Sequence, residues 1–425
     1  MGPVRPVLSL LIGTALVLVA NGLLTTVLGT RLAGGGQSLG VAGVVVSAFS
    51  VGLVLGSWRG RWVVERVGHI RTFAAFAGLA TAAALGLALV DVPALWVGFR
   101  VVQGFAIGGN YLVIESWLSE RSSSSAERGR VLAVYVATCQ VALAAGQLLV
   151  VVQPPTGSRP FTLAALLYVL ALVPIALTRT PQPVLNEGPR ASLAGVLRRA
   201  PVAVGGCFVA GCTTGSLLNL GPAFGMAEGL TAQEVAVFMA SSVLGGLALQ
   251  WPVGWLADRI DRRVVIELIA TASCGAGLLL WSAHTFGTLT AAAFALGAVA
   301  FVLYPVSIAH AHDLVDRADV VAASGTLVLA YGLGSAVVPL IGSVGLEVFG
   351  SATLPALLTI FNLALVALAV VRLVKRRRLP VVEPVPFAPL ALPQVVAARD
   401  SILSPEEDPT DPQAVSSTRA ARGPS

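Results

Sequence analysis

Apolar runs of about twenty residues recur along this chain from Val7 to Val374, each closed by a short turn, and that recurrence restricts the fold more than any other feature. A helix rises 1.5 Å per residue, so the roughly 30 Å of a bilayer's hydrocarbon core is crossed by about 20 apolar residues. Read at that length, the chain holds twelve spans: 7–29, 39–58, 71–91, 93–117, 131–153, 160–178, 201–224, 232–256, 264–285, 287–311, 321–345 and 351–374. Charged residues make up only 11% of the chain, against about 25% in soluble domains, so the sequence cannot cover a water-exposed surface of this size. The run behind Arg5, Val7 to Leu28, is too long for the h-region of a signal peptide and reads as an uncleaved first helix.

Loop charge orients the spans. One alternate set of loops carries Arg5, then Arg59, Arg61, Arg66 and Arg71, then Arg121, Arg128 and Arg130. It continues with Arg179, Arg190, Arg198 and Arg199, then Arg259, Arg262 and Arg263, then Arg317 and the stretch from Lys375 to Arg378. The opposite loops hold Arg31 and Arg159. The positive side faces the cytoplasm, which puts both termini inside and requires an even number of spans. Ten or fourteen satisfy the charge rule as well; twelve also satisfies an internal repeat. The net charge of +6 is scattered over short loops and has no aromatic–basic platform, which argues against nucleic acid as a partner. One lysine, Lys375, among 27 basic residues suits a GC-rich bacterial genome and hence a bacterial plasma (inner) membrane.

The repeat is a basic turn that occurs twice. GRWVVERVGHIR runs from Gly60 to Arg71 and GWLADRIDRR from Gly254 to Arg263; Glu65-Arg66 answers Asp258-Arg259 193 residues later, almost half the chain. Duplication in a membrane is chiefly a transporter habit. The expected organisation is an N-terminal six-helix half, 1–178, and a cytoplasmic linker with three prolines, 179–200. A second half, 201–374, precedes a tail, 375–425, too polar and proline-rich to bury a core and expected to be disordered.

These turns resemble the signature of the major facilitator superfamily. The second copy matches through Gly254, Asp258, Arg259, Arg262 and Arg263, with Asp261 where the signature has glycine. The first has Glu65 for the usual Asp, keeps Arg66, Gly68 and Arg71, and sets Gly60 one residue early. The resemblance implies an all-α membrane fold, twelve transmembrane helices in two pseudo-symmetric six-helix bundles. It also implies a cytoplasmic latch, whose acid caps a neighbouring helix and whose arginines pair with carboxylates on the fourth and tenth spans. An anion is favoured at a helix N-terminus, which agrees. The latch carboxylates expected are Glu115, reached by Arg66, Arg71 or Arg128, and Asp313; gate pairing is preferred to proton carriage for both. The alternative is a solvated basic loop that only sets topology.

Arg100, Gln103 and Gly104, in RVVQG, resemble the superfamily's fourth-helix motif. Arg100, Gly104, Ile107 and Tyr111 share one helical face, flanked by Gln103 and Glu115. An arginine in a span costs at least about 2.5–3.5 kcal/mol, so this face meets a partner or a wet cavity. It serves substrate binding or proton coupling, or is a structural arginine tied to carbonyls. Polar residues inside other spans are Asn21, Gln140, Gln147, Asn219, Gln250, Tyr304 and Tyr331. Of these, Asn21, Asn219, Tyr304 and Tyr331 fall on helices that line the central cavity in the resembling family. Glycines at 52, 56 and 60 mark a close helix contact.

IESWLSERSSSSAERGRVLAVY with the following GQLL, and LYPVSIAHAHD in the tenth span, are similar to the YcaD-type branch. The glycine-proline motif common in the fifth helix of antiporters is missing: Gly146 has no proline before Pro154. His310, His312 and Asp313 read as a gate or interfacial cluster rather than a metal site. Cys139, Cys207, Cys212 and Cys274 read as small packing residues. With no ATP loop, haem motif or nucleophile–base pair, the expectation is a non-enzymatic, cofactor-free monomer among membrane lipids. It moves a small solute by alternating access, with protons the first coupling ion. Multidrug or metabolite efflux by proton antiport is the alternative; a non-transporting receptor or scaffold is the competitor from another class.

Overall fold

The computed structural model describes residues 8–35, 38–120, 125–177, 193–315 and 320–375. Most of the expected linker and nearly all of the tail lie outside them. The helices, in chain order, are α1 Leu8–Gly34, α2 Leu39–Val67, α3 His69–Leu89, α4 Pro93–Glu120 and α5 Ser125–Val152. Then come α6 Arg159–Leu170, α7 Leu172–Ala176, the short α8 Leu193–Arg199, α9 Pro201–Ala227 and α10 Ala232–Ala257. The last are α11 Arg262–Ser282, α12 Phe286–Leu314, α13 Val320–Phe349 and α14 Thr353–Lys375.

Local chemistry sets many of the ends. Ser38 caps α2 by accepting from the Val41 amide, and Thr231 with Glu234 and Thr285 with Thr288 close reciprocal capping boxes on α10 and α12. Proline is the first residue of α4 and α9, where its missing N–H costs nothing. The sixth span is broken between α6 and α7 because Pro174 cannot donate to the Leu170 carbonyl and its ring crowds it.

Eleven segments of the described residues are long and apolar enough to cross a membrane. The last, Ala323–Arg372, has 50 residues and would be about 75 Å long if straight, far more than one crossing needs. It folds back at a 3-10 turn, Gly350–Ala352, where Gly350 takes φ +68, so it supplies two passes and the bundle has twelve.

The two halves are built alike. In the first, α1 packs on α5 and α6, α2 on α4, and α3 on α4 and α6; in the second, α9 packs on α13 and α14, α10 on α12, and α11 on α12 and α14. Each half has its own apolar core. The halves meet where α2 lies on α13, α5 on α10 and α1 on α9, an arrangement that maps onto itself when the halves are exchanged.

Several seams within the halves close to backbone contact at glycine, beside others where a glycine meets a side chain, as Gly86 does Phe99 and Gly109 does Phe76. A Cβ at Gly22 would strike the Leu143 carbonyl oxygen, and one at Gly146 that of Val19, so α1 and α5 touch backbone to backbone. The same holds at Gly104 against Phe49 for α2·α4, at Gly245 against Phe294 for α10·α12, and at Gly211 against Tyr331 for α9·α13. Between halves the glycines face side chains instead: Gly29 meets Pro222, Gly43 meets Ser343 and Gly332 meets Val54. Such close approach supplies dispersion and packing where lipid leaves no hydrophobic drive between helices. The outside of the bundle exposes large apolar residues such as Leu89, Leu177, Trp251 and Phe349, a surface suited to lipid.

Candidate functional site

The end of the bundle that carries the repeated turns, called here the basic end, differs from its sequence expectation in one respect at once. The first signature is helical up to Val67: α2 continues past residue 58, held by the Arg61–Glu65 pair at 2.8 Å, one helical turn apart. Glu65 is thus engaged along its own helix and caps no neighbour. Gly68 then breaks the helix at φ +83 with ψ 167, a conformation essentially restricted to glycine, and α3 begins. Gly60 lies against Gly109 and Leu112 of α4.

The second turn solves the same problem differently. At the position of Gly68 stands Asp261, with φ −56, whose carboxylate accepts the Arg263 amide at 2.9 Å and caps α11. The N-terminus of α11 is thus capped by Asp261. Burial works to raise the Asp261 pKa, but the hydrogen bonds and charge of Arg263, with a contribution from His310, outweigh it and hold this carboxyl below the usual range. Arg263 closes on it through Nε at 3.2 Å and Nη2 at 3.0 Å.

Arg262 is the centre of this end. Its side chain is almost wholly buried, and its Nη1 donates to both oxygens of Asp313, at 2.7 and 2.8 Å, and to the Ala309 carbonyl at 3.0 Å. Nη2 donates to Asp258 at 3.3 Å and Nε to the Ala257 carbonyl at 3.3 Å. The end of α10, the start of α11 and the end of α12 are thereby joined, with Gly254 buried one turn before Asp258. His310 and His312 stand on α12; His312 bonds Ser324 of α13 at 2.7 Å.

In the first half the position of Arg262, the first residue of its helix, is held by His69. It bonds Ser116 at 3.0 Å and packs at a 56° tilt against the buried Trp117. Arg66 and Arg259, expected to reach carboxylates, fold back instead on tryptophans one turn earlier: Arg66 sits 5.3 Å from Trp62 and Arg259 3.8 Å from Trp255. Both tryptophans are exposed, so these two arginines face the membrane surface. Arg71 is exposed too, with no charged partner among the described residues, and the Arg128 side chain lies outside them. Neither Arg66 nor Arg71 meets Glu115 in the described structure.

Glu115 points inward. It is fully buried in α4; Tyr135 of α5 donates to its Oε1 at 3.3 Å, and its Oε2 has no partner. Tyr111 stands one turn before it on the same helix. Arg100 stands 15 residues earlier in α4, about 22 Å along the axis, so the two buried groups do not neutralise each other. Arg100 lies 4.5 Å over the Phe49 ring and donates to Gln103 Oε1 at 2.8 Å, and its Nε has no partner. Gln103 in turn donates to Tyr168 at 3.1 Å and, at 3.5 Å, to Asn21 Oδ1.

Between these groups, at the junction of the halves, is a cavity of about 60 Å³. In this conformation that is room for a few waters, and a larger solute enters only when the halves part. Asn21, Phe49, Tyr111, Gln147, Asn219 and Tyr331 are among the residues that line it. Of the expected pocket residues, Asn21, Tyr111, Asn219 and Tyr331 are brought together here. Arg100 and Gln103 stand behind the wall, and Tyr304 touches the wall through Tyr331, 5.1 Å between ring centres. Gln147 was passed over among the pocket residues. A lone carboxamide directly after the glycine at which α5 meets α1 was the available signal. In the same wall, Ser50 of α2 and Ser335 of α13 share a hydrogen bond of 2.9 Å across the two halves.

The comparisons with known proteins agree with this architecture. The family model described as Major Facilitator Superfamily matches residues 10–266 and 208–406. The chain belongs to the major facilitator superfamily. Within it, the uncharacterized MFS-type transporter YcaD of Escherichia coli O17:K52:H18 is 31% identical over 338 residues, 79% of this chain and 87% of that protein. YcaD of strain O139:H28 gives the same identity and coverage. Among solved structures, the nucleoside transporter NupG superposes with a TM-score of 0.70 at 14% identity, covering 86% of this chain and 98% of its own. The human organic anion transporter MFSD10 does so at 0.61 and 16%, covering 87% and 100%. Likenesses at such identities carry the fold alone. This superfamily member is a multi-pass integral membrane protein of transport, of the YcaD type, and not an enzyme.

Proposed function

We propose that this protein is a proton-coupled secondary transporter that moves a small solute through its central cavity by alternating access, with the basic end in the cytoplasm. The observation that carries the reading is Glu115: a fully buried carboxyl one turn toward the basic end from the cavity-lining Tyr111, with Tyr135 on one oxygen and nothing on the other. An ionisable group inside a span is costly and marks an ion or substrate path. Tyr111, one helical turn away, lines the cavity at which the two halves meet. Rocking the halves therefore changes the surroundings of Glu115 and with them its hold on a proton. Loop charge supports the orientation.

The Arg262–Asp313–Asp258 cluster serves in this reading as the latch of the basic end, and its residues belong to one half, so it stiffens the element that closes. The asymmetric counterpart at His69 makes the first half's contribution uncharged hydrogen bonding and packing. Proteoliposomes loaded with a solute found by binding test the coupling. Glu115→Gln should keep solute exchange and lose accumulation driven by an imposed pH gradient. Unchanged gradient-driven accumulation in that variant would remove Glu115 from the mechanism.

A further inference from the structure

The cavity wall also carries information about the solute, an inference that rests on the cavity being the transport site. Among the residues that line it there is no Asp, Glu, Lys, Arg or His. The nearest formal charges stand behind the wall: Arg100 behind the Phe49 ring with Nη1 spent on Gln103, and Glu115 beyond Tyr111. A charge taken out of water is accommodated only when paired, so a charged solute has no counter-ion to meet in this cavity.

What the wall does offer is carboxamide. Asn21 of α1 has its oxygen occupied by Gln103 and its NH2 unassigned, so it presents a donor. Asn219 of α9 gives its NH2 to the Gly215 carbonyl at 2.9 Å and so presents an acceptor. Gln147 of α5 is fully buried and lines the cavity, yet neither its NH2 nor its oxygen has a partner. Buried polar groups are paired almost without exception, so an amide with both ends open is a vacancy for a ligand with a donor and an acceptor side by side. Phe49, Tyr111 and Tyr331 supply aromatic wall for the rest of it.

We infer that the solute is an uncharged molecule carrying an amide-like edge, a donor next to an acceptor, on an aromatic or otherwise apolar body, and that Gln147 reads this edge. The full-length protein in lipid nanodiscs can be titrated with matched amides, carboxylates and amines built on the same ring and short-chain bodies; benzamide, benzoate and benzylamine form one such set, and nicotinamide, nicotinate and 3-(aminomethyl)pyridine another. Binding is read as a rise in Tm and by calorimetry. Amides should bind and their charged counterparts should bind at least tenfold more weakly. Gln147→Leu should weaken the amides about tenfold, the scale of a lost hydrogen-bonded edge, while its unliganded Tm stays at the wild-type value. The inference is overturned if carboxylates or amines bind as tightly as the amides, if no amide binds at millimolar concentration, or if Gln147→Leu binds amides like the wild type. Binding needs no transport: amides that bind and are not moved across proteoliposomes sink the transport reading alone, and a carboxylate moved under a pH gradient sinks this one alone.

Discussion

Arg262 grips both oxygens of Asp313, at 2.7 and 2.8 Å, and so ties the start of α11 to the end of α12. The guanidinium is buried and Asp313 is about a quarter exposed, so most of the pair's attraction escapes screening by water. Removing one partner of a buried pair leaves the other uncompensated, at about 3–5 kcal/mol.

Asp313→Asn should cost less than that, about 2 kcal/mol, because the carboxylate is partly wet and Asp258 still faces the guanidinium at 3.3 Å. Thermal unfolding in detergent micelles would read it as a clear fall in Tm. Arg262→Lys should lower Tm as well, since the three N–H groups of an ammonium cannot serve the five acceptors that the guanidinium reaches on Asp258, Asp313, Ala257 and Ala309. Arg71→Gln, on an exposed side chain, should leave Tm unchanged.

Gly104→Ala should weaken the first half as a whole. Its methyl would run into the Phe49 carbonyl oxygen, which is helix backbone and cannot rotate away. Overpacking of this kind costs about 1–3 kcal/mol. Gly78→Ala on α3 meets nothing within 4 Å and should leave the folded yield at the wild-type level. Size-exclusion profiles of the two variants, expressed side by side, make the comparison.

Acid stability should depend in part on Asp261. Its carboxyl is held below the ordinary range by Arg263, so the stabilisation is complete above the unfolded value of about 3.9 and fades as pH falls through the folded one. Asp261→Asn keeps a capping side chain but has no charge to lose. Its Tm should be slightly lower than wild type at pH 6, and the gap should close as the pH approaches 3. A gap that stays constant across that range would show that the cap, not the charge, matters there.

Ser50 and Ser335 place their hydroxyl oxygens 2.9 Å apart although they belong to opposite halves. In Ser50→Cys/Ser335→Cys, oxidation should form a disulfide, since the two side chains already meet tip to tip across the halves. The single variants Ser50→Cys and Ser335→Cys, oxidised with copper phenanthroline in the same way, give the contribution of the four native cysteines. The cross-linked protein should bind solute but exchange none, and reduction should restore exchange. Full exchange in the cross-linked form would mean that α2 and α13 do not part during the cycle.

Much of this was written in the periodicity of the chain. Twelve apolar runs become twelve crossings because a bilayer leaves no other length for a helix to take. The fused pair α13–α14 is legible too, through Gly350, once 50 apolar residues are seen to be too many for one pass. The roles of Arg66 and Arg259 were not legible from charge alone. Which way a basic residue turns depends on its phase against Trp62 and Trp255, four residues earlier, and on which helix face meets lipid. His69 escaped because it shares position with Arg262 but not charge. Glu115 was expected near arginines on grounds of sequence spacing; the rotation of α4 turns it to Tyr135 instead.

The contrast between the glycine seams within each half and the side-chain contacts between them bears on how such a protein can change over generations. Inside a half, a replacement at Gly22, Gly104 or Gly211 must move an entire helix, so those positions are closed to gradual change. Where the halves meet, a substitution alters one side chain against another, and the cavity lies on that boundary. New cargo preferences can therefore accumulate one residue at a time along the divide, while the two frames that flank it stay as they were.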